Sequence, residues 1–156
     1  MKLTVVCMGK TREQFVLAGI EKYARYLKHY ADVELRTLRE EPIRDLRDAP
    51  AIRRKEAERI AKALPPGACI VALDERGEEF TSHAFAAFLN KTLESGVREL
   101  VFILGGALGL DETVREKSHK TVSLSRLTFT HEMARLVLLE QLYRAFTIIT
   151  GKTYHY

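Results

Sequence analysis

The stretch ELVFILGGALGLD, residues 99–111, passes from a short apolar run into a segment with three glycines within five residues. The run at residues 100–104 is typical of a strand buried on both faces of a mostly parallel sheet. Such sheets bind ligands beyond the carboxyl ends of their strands. Because glycine lets a ligand approach the main chain, we predict that Gly105, Gly106 and Gly109 form a wall against a flat group. Glycine-rich turns that bind nothing are common, so other stretches have to support this site.

The composition of the chain predicts one globular domain over residues 1–156. With 46% hydrophobic residues, a chain of this length buries roughly two-thirds of its unfolded surface. No apolar segment is long enough to span a bilayer, and the N-terminal segment is too short for a signal peptide. We therefore expect a cytoplasmic protein with no membrane contact. Cys7 and Cys69 fall in predicted strands and are expected to be core thiols rather than disulfide partners or zinc ligands.

The positive charge is concentrated in one part of the chain. The net charge is +4 and the isoelectric point is about 9.1, values that suit a polyanionic partner but are common in enzymes. A solvent-exposed helix face explains the concentration slightly better than a nucleic-acid surface, and both interpretations stay open. The basic residues between positions 44 and 62 are Arg44, Arg47, Arg53, Arg54, Lys55, Arg59 and Lys62.

Hydrophobic periodicity predicts five strands that alternate with helices. Thr11 is expected to cap the first helix, in which Phe15, Ile20, Tyr23 and Leu27 face the sheet. The predicted strands cover residues 2–8, 32–38, 68–73, 100–104 and 120–124, with a turn at 74–77. The predicted helices cover residues 12–28, 51–64, a segment capped by Thr81 or Ser82 that ends at Gly96, a short segment begun by Asp111, and 131–150. This order predicts an α/β fold with a mostly parallel sheet and helices on both faces.

The final predicted helix is apolar on nearly all sides, so we expect part of it to pack against another subunit. The glycines follow a G-G-x-x-G pattern rather than the G-x-G-x-x-G fingerprint of dinucleotide-binding proteins. The sequence has no phosphate-binding loop motif and no metal-spaced cluster of His, Cys and Asp. Classical NAD, ATP and metal chemistries are therefore disfavoured.

Three loops at predicted strand ends carry a family resemblance. They are LDERG at residues 73–77, LGGALG at 104–109 and SLSRLTF at 123–129. With His131-x-x-x-Arg135, EQLYRA at 140–145 and the terminal Tyr154-His155, they closely resemble the ribosomal RNA large subunit methyltransferase H family. The resemblance covers the whole chain in length and in motif order, and the motifs are specific only in combination.

The resemblance implies an enzyme of the SPOUT class that uses S-adenosylmethionine and needs no metal. It implies methylation of N3 of a pseudouridine in a stem-loop of 23S rRNA, on the assembled ribosome. It also implies a homodimer in which the C-terminal half of each chain is threaded as a trefoil knot. Nothing in the periodicity would have suggested the knot, because threaded chains are rare.

The resemblance further implies which residues contact the cofactor and which act on the substrate. His131 is our candidate for orienting or deprotonating the target base, and a helix-capping role is nearly as well supported. Arg135 is one helical turn later and is expected to bind phosphate or the base oxygens, or else to form a salt bridge with Glu132 or the partner subunit. The expected cofactor contacts are Leu73, Gly105, Leu124, Ser125, Arg126, Leu127, Thr128 and Phe129.

The C-terminal tail is expected to lie on the substrate side. Tyr154 is predicted to stack on a flipped base, and His155 to bind phosphate or assist proton removal. Many family members end with a basic residue after Tyr-His, whereas this chain ends with Tyr156. Arg53 and Arg54, together with the adjacent Lys55, are our candidates for the RNA surface. Arg144 is expected to pair with Glu140 in a structural role.

Two other functions compete with an rRNA methyltransferase. One is a ribosome-associated RNA-binding protein that keeps the fold but catalyses nothing. The other is a SPOUT enzyme that acts on tRNA, which has less support because such enzymes often carry an additional RNA-binding domain.

Overall fold

The computed structural model describes residues 1–154. Within these residues five strands form one sheet: β1 (Lys2–Met8), β2 (Asp32–Leu38), β3 (Cys69–Glu79), β4 (Glu99–Leu104) and β5 (Lys120–Ser123). The helices are α1 (Gln14–Leu27), α2 (Ala49–Ala63), α3 (Ser82–Glu94), α4 (Glu112–Glu116) and α5 (His131–Ile149), and a short 3₁₀ helix at Leu46–Asp48 precedes α2. The strand order is β2-β1-β4-β3-β5, and every pairing is parallel. The predicted α/β fold with a parallel sheet is confirmed.

Helices cover both faces of the sheet, as predicted, and β4 shows this most clearly. Leu100, Phe102 and Leu104 pack with α1, α3 and α5, whereas Val101 and Ile103 pack with α2 and α4. None of these five side chains is more than 2% exposed. Because β4 also pairs with β1 on one edge and with β3 on the other, its apolar run is buried on every side.

The first helix differs from its prediction. Thr11 does not cap α1, which begins at Gln14 after the N-cap residue Glu13, and Glu13 makes no side-chain capping hydrogen bond. Phe15 was expected to face the sheet but is 66% exposed. Val16, the next residue, points inward instead. Consecutive helical residues are rotated by about 100°, so the two side chains cannot both face the sheet. The buried residues of α1 are Val16, Ile20 and Leu27.

The third strand is longer than predicted. β3 continues through the segment that the sequence analysis assigned to a turn and ends at Glu79. Its pairing with β5 shifts register, because Leu73 and Glu78 both lie opposite Val122. Residues 74–77 therefore bulge out of the ladder, and we call them the β3 bulge. Gly77 returns so close to β5 that an added Cβ would lie 2.5 Å from the carbonyl carbon of Val122.

The two cysteines are free thiols. Cys7 is buried in the core as predicted, and burial raises the pKa of its thiol to about 11. Cys69, at the start of β3, is only half-buried and packs against the edge of the core. Its position as the first residue of the strand explains why it is less enclosed than the sequence predicts.

The apolar helix α5 is largely covered within its own chain. It packs between α1 and α3 on one face of the sheet, and its side chains from His131 to Ile149 are all buried or half-buried. The expected difficulty of enclosing this helix in a small chain is therefore mostly resolved by its two neighbours. Among the described helices, none is long and apolar enough to cross a membrane.

Glu132 in the first turn of α5 caps a different helix. Its Oε2 atom accepts hydrogen bonds from the backbone amides of Arg12 and Glu13, each at 3.0 Å. These amides precede α1, whose N-terminus has no capping side chain of its own. The hydrogen bond from Glu13 is the largest cause that holds the pKa of Glu132 below its ordinary value, against the effect of burial.

Replacing Glu132 tests this cap between helices. We expect Glu132→Gln to lower the free energy of unfolding by about 1 kcal/mol near pH 7, because a neutral amide oxygen accepts hydrogen bonds more weakly than a carboxylate. The folded pKa of Glu132 is lowered, so the stabilisation is present above the unfolded value of about 4.3 and is lost as the pH falls through the folded value.

Urea unfolding of both proteins between about pH 7 and pH 3 measures this difference, which should shrink at the acid end. The matched control is Glu21→Gln, which changes an exposed carboxylate on α1. Equal effects of the two substitutions would contradict the assignment of Glu132 as the cap.

Candidate functional site

A cavity of about 900 Å³ opens at the carboxyl ends of β3, β4 and β5. Its walls come from three segments: the β3 bulge, residues 105–110 after β4, and residues 123–131 at and beyond the end of β5. We call residues 105–110 the glycine loop. Parallel pairing brings these three segments together, because all parallel strands end at the same edge. The volume suits a ligand of nucleoside or nucleotide size.

The cavity gathers most of the predicted cofactor contacts. Apolar side chains, glycines and charged side chains all contribute to its lining. Arg126 is the exception, because its side chain points outward and pairs with Glu79 at 3.0 Å. The predicted contacts that line the cavity are Leu73, Gly105, Leu124, Ser125, Leu127, Thr128 and Phe129.

The glycine loop closes back on itself. The Gly109 amide donates a hydrogen bond to the Gly106 carbonyl at 3.0 Å, and Gly109 has a φ of +78°. A Cβ added to Gly105 would lie 2.6 Å from the carbonyl carbon of Gly109 and 2.9 Å from the Leu110 amide nitrogen. All three predicted wall glycines line the cavity. At Gly105, however, glycine is required by the fold of the loop itself, and not only by the approach of a ligand.

His131 lines the cavity at the first position of α5 and is half-buried. It does not cap the helix, because Thr130 is the N-cap residue and accepts a hydrogen bond from the Met133 amide at 3.2 Å. Burial, and then the positive charge of Arg135, lower the pKa of His131 below its ordinary value. The imidazole is therefore neutral near pH 7 and able to accept a proton.

Arg135 does not line the cavity. It is 3% exposed, and its guanidinium donates hydrogen bonds to the Met8 carbonyl at 2.5 Å and to Thr11 Oγ1 at 2.9 Å. Its Nε atom has no hydrogen-bond partner in the part of the chain that the structure describes. Arg135 thus joins the end of β1 to α5 from behind the site, and it affects His131 through its charge.

The two arginines proposed for an RNA surface occupy different environments. Arg53 on α2 is half-buried and lines the mouth of the cavity. It makes no hydrogen bond or ion pair with any residue of 1–154, although its charge and that of Arg54 add to the Thr113 hydrogen bonds that lower the pKa of Asp111. Its donors can therefore bind an anion. Arg54 is exposed and lies outside the cavity wall. The sequence predicts one surface for both arginines, but of the two only Arg53 lines the cavity.

A network of charged residues at the cavity was not assigned from the sequence. Asp74 accepts hydrogen bonds from Arg76 Nε at 3.0 Å and from Arg115 Nη1 at 2.9 Å, and Arg115 also pairs with Glu112. All four side chains line the cavity. The one sequence signal is an aspartate directly after a buried strand. Its partner on α4 is 41 positions away, so only the fold reveals the pair.

The described part of the tail lies against α1 and α5 rather than in the cavity. The Tyr154 hydroxyl donates to Glu140 Oε1 at 2.7 Å, and its ring lies under the Arg144 guanidinium at 4.1 Å. Arg144 also pairs with Glu140 at 2.8 Å, as predicted. The roles predicted for His155, and the effect of the terminal Tyr156, lie outside the described residues.

Comparison with known families classifies the protein. The family model described as "Predicted SPOUT methyltransferase" matches residues 1–155. The chain belongs to the SPOUT methyltransferase family. The sequence resemblance is thereby confirmed, and the cavity at the ends of β3, β4 and β5 becomes the candidate site of a methyltransferase.

Relatives within this family match over their full length. A protein from Geobacter sp. strain M21, named ribosomal RNA large subunit methyltransferase H, is 47% identical over 156 residues that cover all of this chain and 99% of the relative. A protein of the same name from Kosmotoga olearia is 45% identical over 158 residues and is fully covered. The crystal structure of a probable methyltransferase from Bordetella pertussis Tohama I matches with a TM-score of 0.54 and 16% identity, covering 92% of this chain and 94% of that one. This structural match supports the fold alone.

Substitution in the glycine loop tests whether the fold of the loop itself requires glycine at position 105. We expect Gly105→Ala to lower the free energy of unfolding by about 1–3 kcal/mol, because its Cβ meets backbone atoms that cannot move independently. Gly106→Ala should cost less, because the nearest atom to its Cβ is the Glu56 carboxylate at 3.3 Å. Urea unfolding of both variants measures the difference, and equal stabilities would refute this account of the loop.

Proposed function

We propose that this protein is an S-adenosylmethionine-dependent methyltransferase that modifies N3 of a pseudouridine in a stem-loop of 23S rRNA, on the assembled ribosome. The observation that carries the proposal is the cavity itself. Its walls are the same three loops that carry the family resemblance. The names of the relatives support an rRNA substrate.

The residues of the cavity fit this cofactor. Leucine side chains from three strand ends offer an apolar slot for an adenine ring, and the glycine loop offers main-chain donors and acceptors. Charged side chains in the lining suit the amino-acid end of the cofactor, which carries both an ammonium and a carboxylate. We propose Leu73, Gly105, Leu124, Ser125, Leu127, Thr128 and Phe129 as the contacts, and we leave out Arg126 because its side chain points away from the cavity.

The cofactor, when bound, supplies a methyl group on a sulfonium that a nitrogen attacks in line. The protein then has two tasks: to hold the target base in line with that methyl group and to remove the proton from N3. We assign proton removal to His131, because its imidazole lines the cavity and its lowered pKa keeps it neutral. Arg135 supports this role as a positioning residue, because its buried charge disfavours the imidazolium.

The substrate side includes groups at the mouth and in the tail. Arg53 and Arg54 are proposed to bind phosphates. Because Tyr154 lies outside the cavity of its own chain, we propose that Tyr154 and His155 of one protomer contact the RNA at the partner's site in a homodimer. The proposal includes a homodimer, which would cover large apolar side chains that are exposed in the single chain. Phe15, Leu127 and Phe129 are 66%, 76% and 40% exposed, respectively. The trefoil knot is also part of the proposal, by family membership.

The test combines calorimetric titration of the purified protein with S-adenosylmethionine and a methylation assay on ribosomes that lack the modification. The expected result is cofactor binding, followed by transfer of one methyl group to a pseudouridine of 23S rRNA, located by mass spectrometry of RNA fragments. Ribosome binding without cofactor binding would instead support a non-catalytic RNA-binding protein. Methylation of tRNA alone would identify a different SPOUT enzyme.

Replacement of His131 should lower the turnover rate and change the pH dependence of that rate. We expect His131→Gln to lower kcat about 100-fold while cofactor affinity is retained. In the unsubstituted protein the rate should be constant near pH 7 and fall as the pH drops through the lowered pKa of His131, because protonation removes the base. His83→Gln, at an exposed position on α3, is the control. If the rate of His131→Gln falls at low pH in the same way as the rate of the unsubstituted protein, His131 is not the base.

Arg53 should act on substrate binding. We expect Arg53→Gln to raise the KM for ribosomes and to reduce the slope of log affinity against log salt concentration by about one, the effect of one lost phosphate contact. The control is Lys62→Gln, which removes an exposed charge further along α2. Identical salt slopes for the two variants would remove Arg53 from the RNA surface.

A further inference from the structure

Arg115 on α4 is held in the wall of the cavity by groups from three segments. Its Nη1 atom donates to Asp74 Oδ2 at 2.9 Å and to the carbonyl oxygen of Leu110 at 3.2 Å. Its Nε and Nη2 atoms donate to Glu112 on its own helix. One guanidinium therefore spans the β3 bulge, the glycine loop and α4.

Neither of the two segments that Arg115 joins is held by the hydrogen-bond ladder of the sheet. Residues 74–77 leave the β3–β5 ladder as a bulge, with pairing resumed only at Glu78. The glycine loop has one backbone hydrogen bond across it, from Gly109 to Gly106, beyond the end of β4. Both segments line the cavity. Their separation sets the width of the cavity on this side, and the Arg115 guanidinium is the group that bonds to both.

Burial distinguishes Arg115 from the other arginine on Asp74. The side chains of Arg115 and Asp74 are 9% and 8% exposed, whereas Arg76 is 63% exposed. Ion pairs that water reaches contribute little, but a buried and hydrogen-bonded pair leaves an uncompensated charge when one partner is removed. Desolvation opposes ionisation of Asp74, yet the hydrogen bonds from Arg76 and Arg115 keep its pKa below the ordinary value.

We propose that Arg115 is a positioning residue whose guanidinium holds the β3 bulge and the glycine loop at a fixed separation, so that the cavity is preformed before ligand binds. Arg115 acts through Asp74 and the Leu110 carbonyl, and its donors are already engaged by the protein. The consequence for affinity rests on the proposed function, since it concerns S-adenosylmethionine. The consequence for the ligand-free protein does not.

The first measurement is hydrogen exchange of the ligand-free protein, comparing Arg115→Met and Arg115→Lys with the unsubstituted chain. Methionine keeps most of the side-chain length but removes every donor, whereas lysine keeps the charge but not the planar fork. We expect amides of residues 74–77 and 105–110 to exchange about tenfold faster in Arg115→Met, with an intermediate effect in Arg115→Lys. The exchange rates of amides in the other strands should be unchanged.

The matched control is Arg36→Met. Arg36 also joins a carboxylate, that of Glu34, to a backbone carbonyl, that of Ala63, but it does so on β2 outside the cavity wall. Its removal should leave exchange in the β3 bulge and the glycine loop unchanged. If Arg115→Met fails to fold, Arg115→Lys decides alone, because its retained charge still compensates Asp74. Unchanged exchange in both cavity walls, or acceleration spread evenly over the sheet, would overturn the proposal.

Calorimetric titration with S-adenosylmethionine supplies the second measurement. We expect Arg115→Met to raise the Kd about tenfold and the cofactor KM in parallel, with kcat recovered at saturating cofactor and the ribosome KM unchanged. A raised ribosome KM with normal cofactor affinity would overturn the proposal in favour of direct RNA contact. If the unsubstituted protein binds no S-adenosylmethionine, the proposed function fails, while the exchange data still decide whether Arg115 joins the two walls.

Discussion

The burial of β4 is the constraint on which the rest of the structure depends. This strand pairs with a neighbour on each edge and is covered by helices on each face. The chain can reach the surface only at the two ends of β4. Because the pairing is parallel, β3, β4 and β5 all end at the same edge of the sheet. The three segments at these strand ends lie side by side at that edge, and together they enclose the cavity. The candidate site follows from the way the core is built.

Two buried side chains at the start of α5 connect this edge to the other half of the fold. Glu132 accepts hydrogen bonds from the amides that precede α1, and Arg135 donates to the carbonyl of Met8 at the end of β1. Both groups are buried charges that are hydrogen-bonded to backbone groups, and the charge of Arg135 adds a smaller effect that lowers the pKa of Glu132. This arrangement fixes the first turn of α5, and with it His131, relative to the sheet. A base can be positioned accurately only on an element that is itself fixed.

The cavity combines a rigid floor with walls that lie outside regular structure. The floor consists of strand ends whose side chains are fixed by the core, whereas the β3 bulge and the glycine loop make few ladder hydrogen bonds. Close approaches of main chain to main chain limit the freedom of both segments, at Gly77 against β5 and at Gly105 against Gly109. Charged groups from α2 and α4 complete the lining. Such a site can bind a flat, partly apolar ligand and still present charge to a polyanion.

The sequence by itself determined the order and nature of the elements, because the 2-residue and 3.6-residue periods are local properties of the chain. It also determined which loops meet, because parallel strands end together, and motif order indicated the family. It did not determine the capping of α1, the β3 bulge or the Asp74–Arg115 pair. Each of these depends on groups far apart in the chain, such as Glu132 and Arg12, which are 120 positions apart. Only tertiary structure decides whether a buried charge finds its partner, because that depends on distance in space.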